Sequence, residues 1–136
     1  MAFIASNHRD LTLAVVGLGY VGLPLAVEFA KNRKVVAYDL DKARIASLKH
    51  FDDRNGQISA DEFGGADGLR LTDDSRDLSD CTCYIITVPT PINESKEPDL
   101  RPLISASKTV ADMLSKGDLV IYESTVYPGC TEDECV

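Results

Sequence analysis

The stretch VVGLGYVGLPLA, residues 15–26, decides how this chain is read. Two β-branched residues lead into Gly17, Gly19 and Gly22, and apolar residues at helical spacing follow: Leu23, Ala26, Val27 and Ala30. A strand, a tight turn and a helix in that order are what give GxGxxG spacing its meaning. Gly17 permits the sharp turn out of the strand, Gly19 lets backbone come close to a pyrophosphate, and Gly22 lets the helix pack against the sheet. The first turn of the helix would then aim free N–H groups and the positive end of its dipole at the phosphates. Pro24 is compatible with this helix because it falls in the first turn. The same spacing also suits a purely structural glycine turn, so the surroundings have to decide.

Working outward, apolar runs at 11–16, 34–38, 84–88 and 119–123 read as strands. None alternates cleanly between polar and apolar, the pattern of strands covered on both faces. DKARIASLKH (41–50) reads as a second helix, and 103–116 as a third that Gly117 closes. Residues 51–80 are rich in acidic and turn-forming residues, and only LRLT (69–72) looks like a further strand there. Strands and helices in this alternation imply parallel strands with right-handed crossovers. The expected fold is α/β, a doubly wound parallel sheet (Rossmann fold) with helices on both faces.

Asp39 closes the second strand roughly 20 residues on from the glycines, where an acidic side chain meets the adenosine ribose of a dinucleotide. A carboxylate there accepts hydrogen bonds from both ribose hydroxyls and repels a 2′-phosphate, which favours NAD over NADP. Arg44 and its neighbour Lys42, on the following helix, stand near the same ribose, and either would soften that discrimination. TVPTP (87–91) follows the third long strand, and its prolines hold Val88, Pro89 and Thr90 at the carboxyl edge of the sheet, where ligands bind. Turn capping accounts for Thr90 equally well. ESTVYPG (123–129) leaves the next strand in the same way and presents Ser124 and Thr125 at that edge, where a threonine is more often structural than catalytic.

Composition narrows the alternatives. At 44% hydrophobic and 26% charged, the 136 residues suit one ordinary soluble domain with no membrane-spanning window. A net charge of −8, from 14 basic and 22 acidic residues, argues against nucleic acid as a partner. The N-terminus carries no signal-peptide pattern, so a cytoplasmic location is expected. Cys81, Cys83, Cys130 and Cys135 match neither a zinc ribbon nor a redox pair and read as inert thiols, with Cys81 and Cys83 on one face of a strand. No GxSxG elbow is present, and His8 and His50 read as surface residues. DDRNG (52–56) lacks the order of a calcium loop, so no metal site is expected.

Taken together, VGLGYVGLPLA, DLDKAR (39–44), VPTPI (88–92), PDL (98–100) and ESTVYPGCTEDECV (123–136) resemble the N-terminal domain of the UDP-glucose/GDP-mannose dehydrogenase family. ESTVYPG in particular resembles the bacterial branch that oxidises UDP-N-acetylglucosamine or UDP-N-acetylgalactosamine for surface polysaccharides. The resemblance implies an NAD-dependent 6-dehydrogenase that converts the sugar C6 alcohol to a carboxylate in two hydride transfers, through a thiohemiacetal and a thioester. It further implies that Tyr20 and Val21 of GYVG lie at the cofactor, with Asp39 and Arg44 on the adenosine ribose. Val88, Pro89, Thr90, Ser124 and Thr125 would line the nicotinamide side, Thr125 also positioning the catalytic water. On this reading residues 1–10 are a tail and 11–136 an NAD-binding domain. The family's nucleophilic cysteine, its Lys and Asn helpers, most of the UDP-sugar pocket and the helical segment that dimerises it fall outside this sequence. The chain alone is expected to bind NAD without useful turnover. Another Rossmann dehydrogenase, of the β-hydroxyacid type, and a non-catalytic NAD-binding sensor remain as alternatives at this point.

Overall fold

The computed structural model describes residues 11–136. The expected tail, residues 1–10, and His8 within it lie outside the described residues. Five strands, β1 (Leu13–Val16), β2 (Val35–Tyr38), β3 (Leu69–Thr72), β4 (Cys83–Ile86) and β5 (Leu119–Tyr122), form one sheet in the order β3-β2-β1-β4-β5. All neighbours are parallel, and Leu13 is in register with Val35 on one side and Cys83 on the other. The three inner strands are buried along their whole length, which is why their sequences run apolar without alternation. β3 and β5, at the edges, are partly exposed and read more weakly.

The helices are α1 (Gly22–Ala30), α2 (Lys42–Lys49), α3 (Ala60–Gly64) and α4 (Arg101–Ala111). The two-residue period of β1 splits the core between the two faces of the sheet. Leu13 and Val15 pack with Leu23 and Val27 of α1, Ile45 and Leu48 of α2, and Phe63 of α3. Ala14 and Val16 join Leu103, Ala106 and Val110 of α4 on the opposite face, with Leu78 and Cys130. This is the doubly wound arrangement expected from the sequence. The strand order reverses between β1 and β4, and the crevice at their carboxyl ends is where such sheets take ligands.

Details differ from the sequence reading in ways that have local causes. α4 begins earlier than 103, because Pro102 is tolerated in the first turn, and it stops at Ala111. There Met113 and Leu114 donate to the carbonyls of Val110 and Ala111, tightening and ending the last turn. Gly117, at φ +101°, then turns the chain into β5. α3 and a 3-10 turn at Ser75–Leu78 break up the acidic stretch that had shown only one strand. Cys81 and Cys83 do not share a face: Cys81 sits in the turn before β4 and packs under α4, whereas Cys83 faces the α1 side. The alternation that would align them starts only once the strand does.

Candidate functional site

The glycine turn is built by three different constraints. Gly17 has φ +97°, and its N–H donates to the Tyr38 carbonyl at 2.9 Å, fixing the exit of β1 against β2. A Cβ on Gly22 would collide with the Gly17 carbonyl oxygen and the Thr87 hydroxyl, so only glycine lets α1 start this close to β1. Thr87 Oγ1 donates to that same Gly17 carbonyl at 2.6 Å, tying the turn to the end of β4. Gly19 differs from both: nothing lies within 4 Å of where its Cβ would be. α1 has no side-chain N-cap; in its opening turn Leu23 N–H donates to the Gly19 carbonyl at 3.3 Å and Pro24 has no N–H, which leaves the Gly22 N–H for another partner.

Beside this turn the carboxyl ends of β1, β2 and β4 open into a cleft of about 620 Å³. Of the residues singled out in the sequence, the structure brings Gly17, Gly19, Asp39, Arg44, Val88 and Pro89 together on its walls. Asp39 is tied on both carboxylate oxygens: Oδ2 accepts from Leu18 N at 2.8 Å and Oδ1 from Asp41 N at 2.9 Å. Each oxygen keeps a lone pair for a further donor. Arg44 is 3% exposed, and its Nε donates to the Leu18 carbonyl at 3.0 Å. Its Nη2 lies 2.8 Å from Asp53 Oδ1 in a buried ion pair, yet neither Nη1 nor Nη2 completes a well-formed hydrogen bond. Lys42 is exposed and lies off the cleft wall, so of these two cations only Arg44 lines the cleft.

Sequence reasoning missed the rest of the wall. Arg54 and Asn55 enter from the loop after α2, and Asp99, Arg101 and Pro102 from the start of α4. Two ion pairs flank the mouth, Arg54 with Asp41 and Arg101 with Asp99, each at 2.7 Å. Hydrogen bonding from Arg54 lowers the Asp41 carboxyl, and the Arg101 guanidinium holds Asp99 down to about 2. Burial, helped by the charges of Asp39, Asp73 and Asp74, pushes the Tyr38 phenol up, so it stays protonated at the cleft wall. The only sequence signal for this wall was the position of DDRNG and PDL just beyond the predicted elements.

The remaining predicted residues lie elsewhere along the same edge. Ser124 Oγ donates to the Val88 carbonyl and Thr90 Oγ1 to the Thr125 carbonyl, both at 2.6 Å. These two bonds lace the loop after β4 to the loop after β5, and the Thr125 side chain stays exposed. Tyr20 is 67% exposed and is absent from the cleft wall, while Val21, 54% exposed, lines a separate apolar groove of about 470 Å³ with Pro24, Ile121 and Glu123. The cysteines stay apart from the cleft, and burial pushes the Cys81 thiol up to about 11 and raises Cys83 as well. His50 is exposed at the end of α2. Among the described residues no three metal-ligating side chains gather, and no helix is long and apolar enough to cross a membrane.

The arrangement fits an adenine dinucleotide in three independent ways: a helix start with no side-chain cap, open space at Gly19, and a buried guanidinium with an unsatisfied Nη1 that lines the same cleft as a carboxylate at the end of β2. A pyrophosphate at the first two and a ribose at the third would use all of them.

Comparison with known proteins agrees. Residues 11–136 match the family model described as UDP-glucose/GDP-mannose dehydrogenase family, NAD binding domain. The chain is 55% identical to the UDP-N-acetyl-D-glucosamine 6-dehydrogenase of Salmonella typhi over 127 residues, 93% of this chain and 30% of that protein. Against the enzyme of the same name from Pseudomonas aeruginosa it is 55% identical over 128 residues, 94% of this chain and 30% of that one. Among solved structures, the UDP-D-ManNAc dehydrogenase of Pyrococcus horikoshii superposes with a TM-score of 0.81 at 36% identity, covering 91% of this chain and 31% of that chain. The chain thus spans about 30% of the length of the curated relatives it matches.

Proposed function

The chain belongs to the UDP-glucose/GDP-mannose dehydrogenase family, with NAD as its cofactor, and from that premise we propose that it serves the oxidation of a UDP-N-acetylhexosamine at C6. The reaction takes the alcohol to a uronate in two hydride transfers, in the making of a bacterial surface polysaccharide. The observation that carries this reading is the 55% identity to two UDP-N-acetyl-D-glucosamine 6-dehydrogenases over nearly the whole chain. The family match and the dehydrogenase relatives favour it over a β-hydroxyacid dehydrogenase or an NAD sensor without chemistry.

In this reading residues 11–136 are the NAD-binding domain and 1–10 a tail. Bound NAD supplies the hydride acceptor. Gly17, Gly19 and Gly22 shape the turn that offers backbone N–H groups to the pyrophosphate. Asp39 accepts from the adenosine ribose hydroxyls, and Arg44 donates to the same sugar. Val88, Pro89 and Thr90, with Tyr20 and Val21 across the turn, border the nicotinamide half. The Ser124 and Thr90 hydroxyls hold the two loops together, which sets the exposed Thr125 side chain at the strand edge to orient water. The UDP-sugar pocket and the covalent step belong to the rest of a longer protein, which we place in the cytoplasm as a homodimer.

The test is to follow NADH formation by the complete protein with UDP-N-acetylglucosamine and UDP-N-acetylgalactosamine. Two NADH per sugar with at least one of them supports the reading, and no NADH with either contradicts it.

A further inference from the structure

The loop after α2 carries a residue that neither the sequence motifs nor the family match single out. Asp53 has a side chain only 1% exposed, and it faces two ways. Towards its own loop it accepts from three backbone N–H groups: Asn55 at 3.1 Å on Oδ1, Gln57 at 2.8 Å and Ile58 at 3.1 Å on Oδ2. Towards the cleft its Oδ1 meets Arg44 Nη2. Burial acts to raise this carboxyl, but the backbone bonds from Gln57, Asn55 and Ile58 and the Arg44 guanidinium beside it outweigh burial and keep Asp53 ionised.

Arg44 in turn holds the Leu18 carbonyl, and the Leu18 N–H is held by Asp39. The result is a continuous chain from Asp53 through Arg44 and Leu18 to Asp39, joining a braced loop to the glycine turn. Along it, neither Nη1 nor Nη2 of Arg44 completes a hydrogen bond although the residue is buried and lines the cleft; Nη2 faces Asp53, and Nη1 faces no acceptor. A buried guanidinium with an unused donor is costly unless a ligand completes it. The opposed pulls of Asp53 and Leu18 fix the plane of the guanidinium, and so fix where that spare donor points.

We propose that Asp53 is a positioning residue for the adenosine end of the cofactor: it locks Arg44 so that Nη1 meets the ribose without having to be ordered on binding. This rests on the NAD reading above. The loop self-bracing then has a purpose, since a carboxylate held by three N–H groups cannot swing away with the arginine. Asp53 touches no ligand atom itself and acts only through Arg44.

Calorimetric titration of the 136-residue chain with NAD and with ADP-ribose tests this, using the unsubstituted chain, Asp53→Asn, Arg44→Met and the double variant Arg44→Met/Asp53→Asn. Asn at 53 keeps one acceptor oxygen and puts an amide NH2 in place of the other, so it removes the charge and part of the loop bracing with it. Asp53→Asn is expected to weaken both ligands about tenfold, the order of one charge-assisted hydrogen bond. The double variant is expected to bind no worse than Arg44→Met alone, because a residue that acts through another adds nothing once that other is gone. An ADP-ribose analogue lacking the adenosine 2′-hydroxyl adds a readout that loosened packing would not move: Asp53→Asn and the missing hydroxyl should be less than additive. Unchanged affinity in Asp53→Asn, or a further loss in the double variant, overturns the proposal. Should Asp53→Asn fail to fold, the comparison between Arg44→Met and the double variant, whose buried site no longer holds an unpaired charge, still decides. If the unsubstituted chain shows no NAD binding, the cofactor reading fails, and this inference with it. If it binds but Asp53→Asn keeps the affinity of the unsubstituted chain, or the double variant loses more than Arg44→Met, only the inference fails.

Discussion

Alanine at Gly22 and alanine at Gly19 are expected to damage the protein in opposite ways, although three residues apart in one turn. At Gly22 the new methyl would be driven into the Gly17 carbonyl and the Thr87 hydroxyl. The first obstacle is backbone and cannot rotate away. Relief requires α1 to back off β1, and α1 is anchored there by Leu23, Ala26, Val27 and Ala30, none more than 2% exposed. Overpacking of this kind costs about 1–3 kcal/mol, and the Thr87 bond to Gly17, which the methyl would displace, adds about 1 kcal/mol. A total near 3 kcal/mol corresponds to a drop of about 10 °C in melting temperature for a domain of this size. At Gly19 nothing lies within 4 Å of the added methyl and its backbone is not left-handed, so melting should stay within about 2 °C of the unsubstituted chain. The methyl instead fills the space assigned to the pyrophosphate, and NAD affinity should fall more than tenfold. Thermal unfolding followed by circular dichroism, paired with NAD titration, reads both effects. A Gly22→Ala chain that melts like the original, or a Gly19→Ala chain that keeps its NAD affinity, would refute the assignment of these two glycines.

Thr87→Val removes the hydroxyl that bonds the Gly17 carbonyl and should lower the melting temperature by about 4 °C, an effect of about 1 kcal/mol, whereas Thr87→Ser should not. Ser59→Ala deletes one half of the capping box of α3 and should cost about 1 kcal/mol in urea unfolding with no effect on NAD binding. Asp74 and Asp99, each held to about 2 by its arginine neighbour, and Asp53, also lowered, bind protons more readily in the unfolded chain, where aspartates titrate near ~3.9. Their contribution is complete above about pH 5 and is lost as pH falls toward 2. Melting temperatures measured from pH 7 downward should hold level to about 5 and then decline, and a rise below 4 would contradict the assignments. Cys81 and Cys83, buried and with raised thiol pKa, should react with a disulfide reagent at pH 8 only after unfolding.

What the sequence made legible follows from how strongly each element is dictated by its own residues. β1, β2 and β4 were readable because burial on both faces forces continuous apolar runs, and the turn between β1 and α1 because Gly17 and Gly22 leave no other residue that fits. Asp39 was readable because its place is set by the end of β2. The stretch 51–80 was harder, since α3 is short and held by a capping box, not by an apolar stripe. The signal was present in Ser59 and Glu62 at S-x-x-E spacing. Arg44 was identified, but not its burial or its tie to Asp53, because a contact between a helix and the loop after it leaves no periodic trace. The cleft wall formed by Asn55 and Arg101 depends on tertiary packing across the crevice, which no local pattern encodes. Likewise the hydroxyls of Thr90 and Ser124 lace the loop after β4 to the loop after β5, contacts that spacing alone did not show.

The most direct test of the central claim is calorimetric titration of this chain with NAD and NADP, beside the Asp39→Ala variant. The account predicts that NAD binds at least about tenfold tighter than NADP, a difference of about 1.4 kcal/mol, and that Asp39→Ala weakens NAD and narrows the gap. No binding of NAD, or equal binding of the two cofactors to the unsubstituted chain, would contradict it.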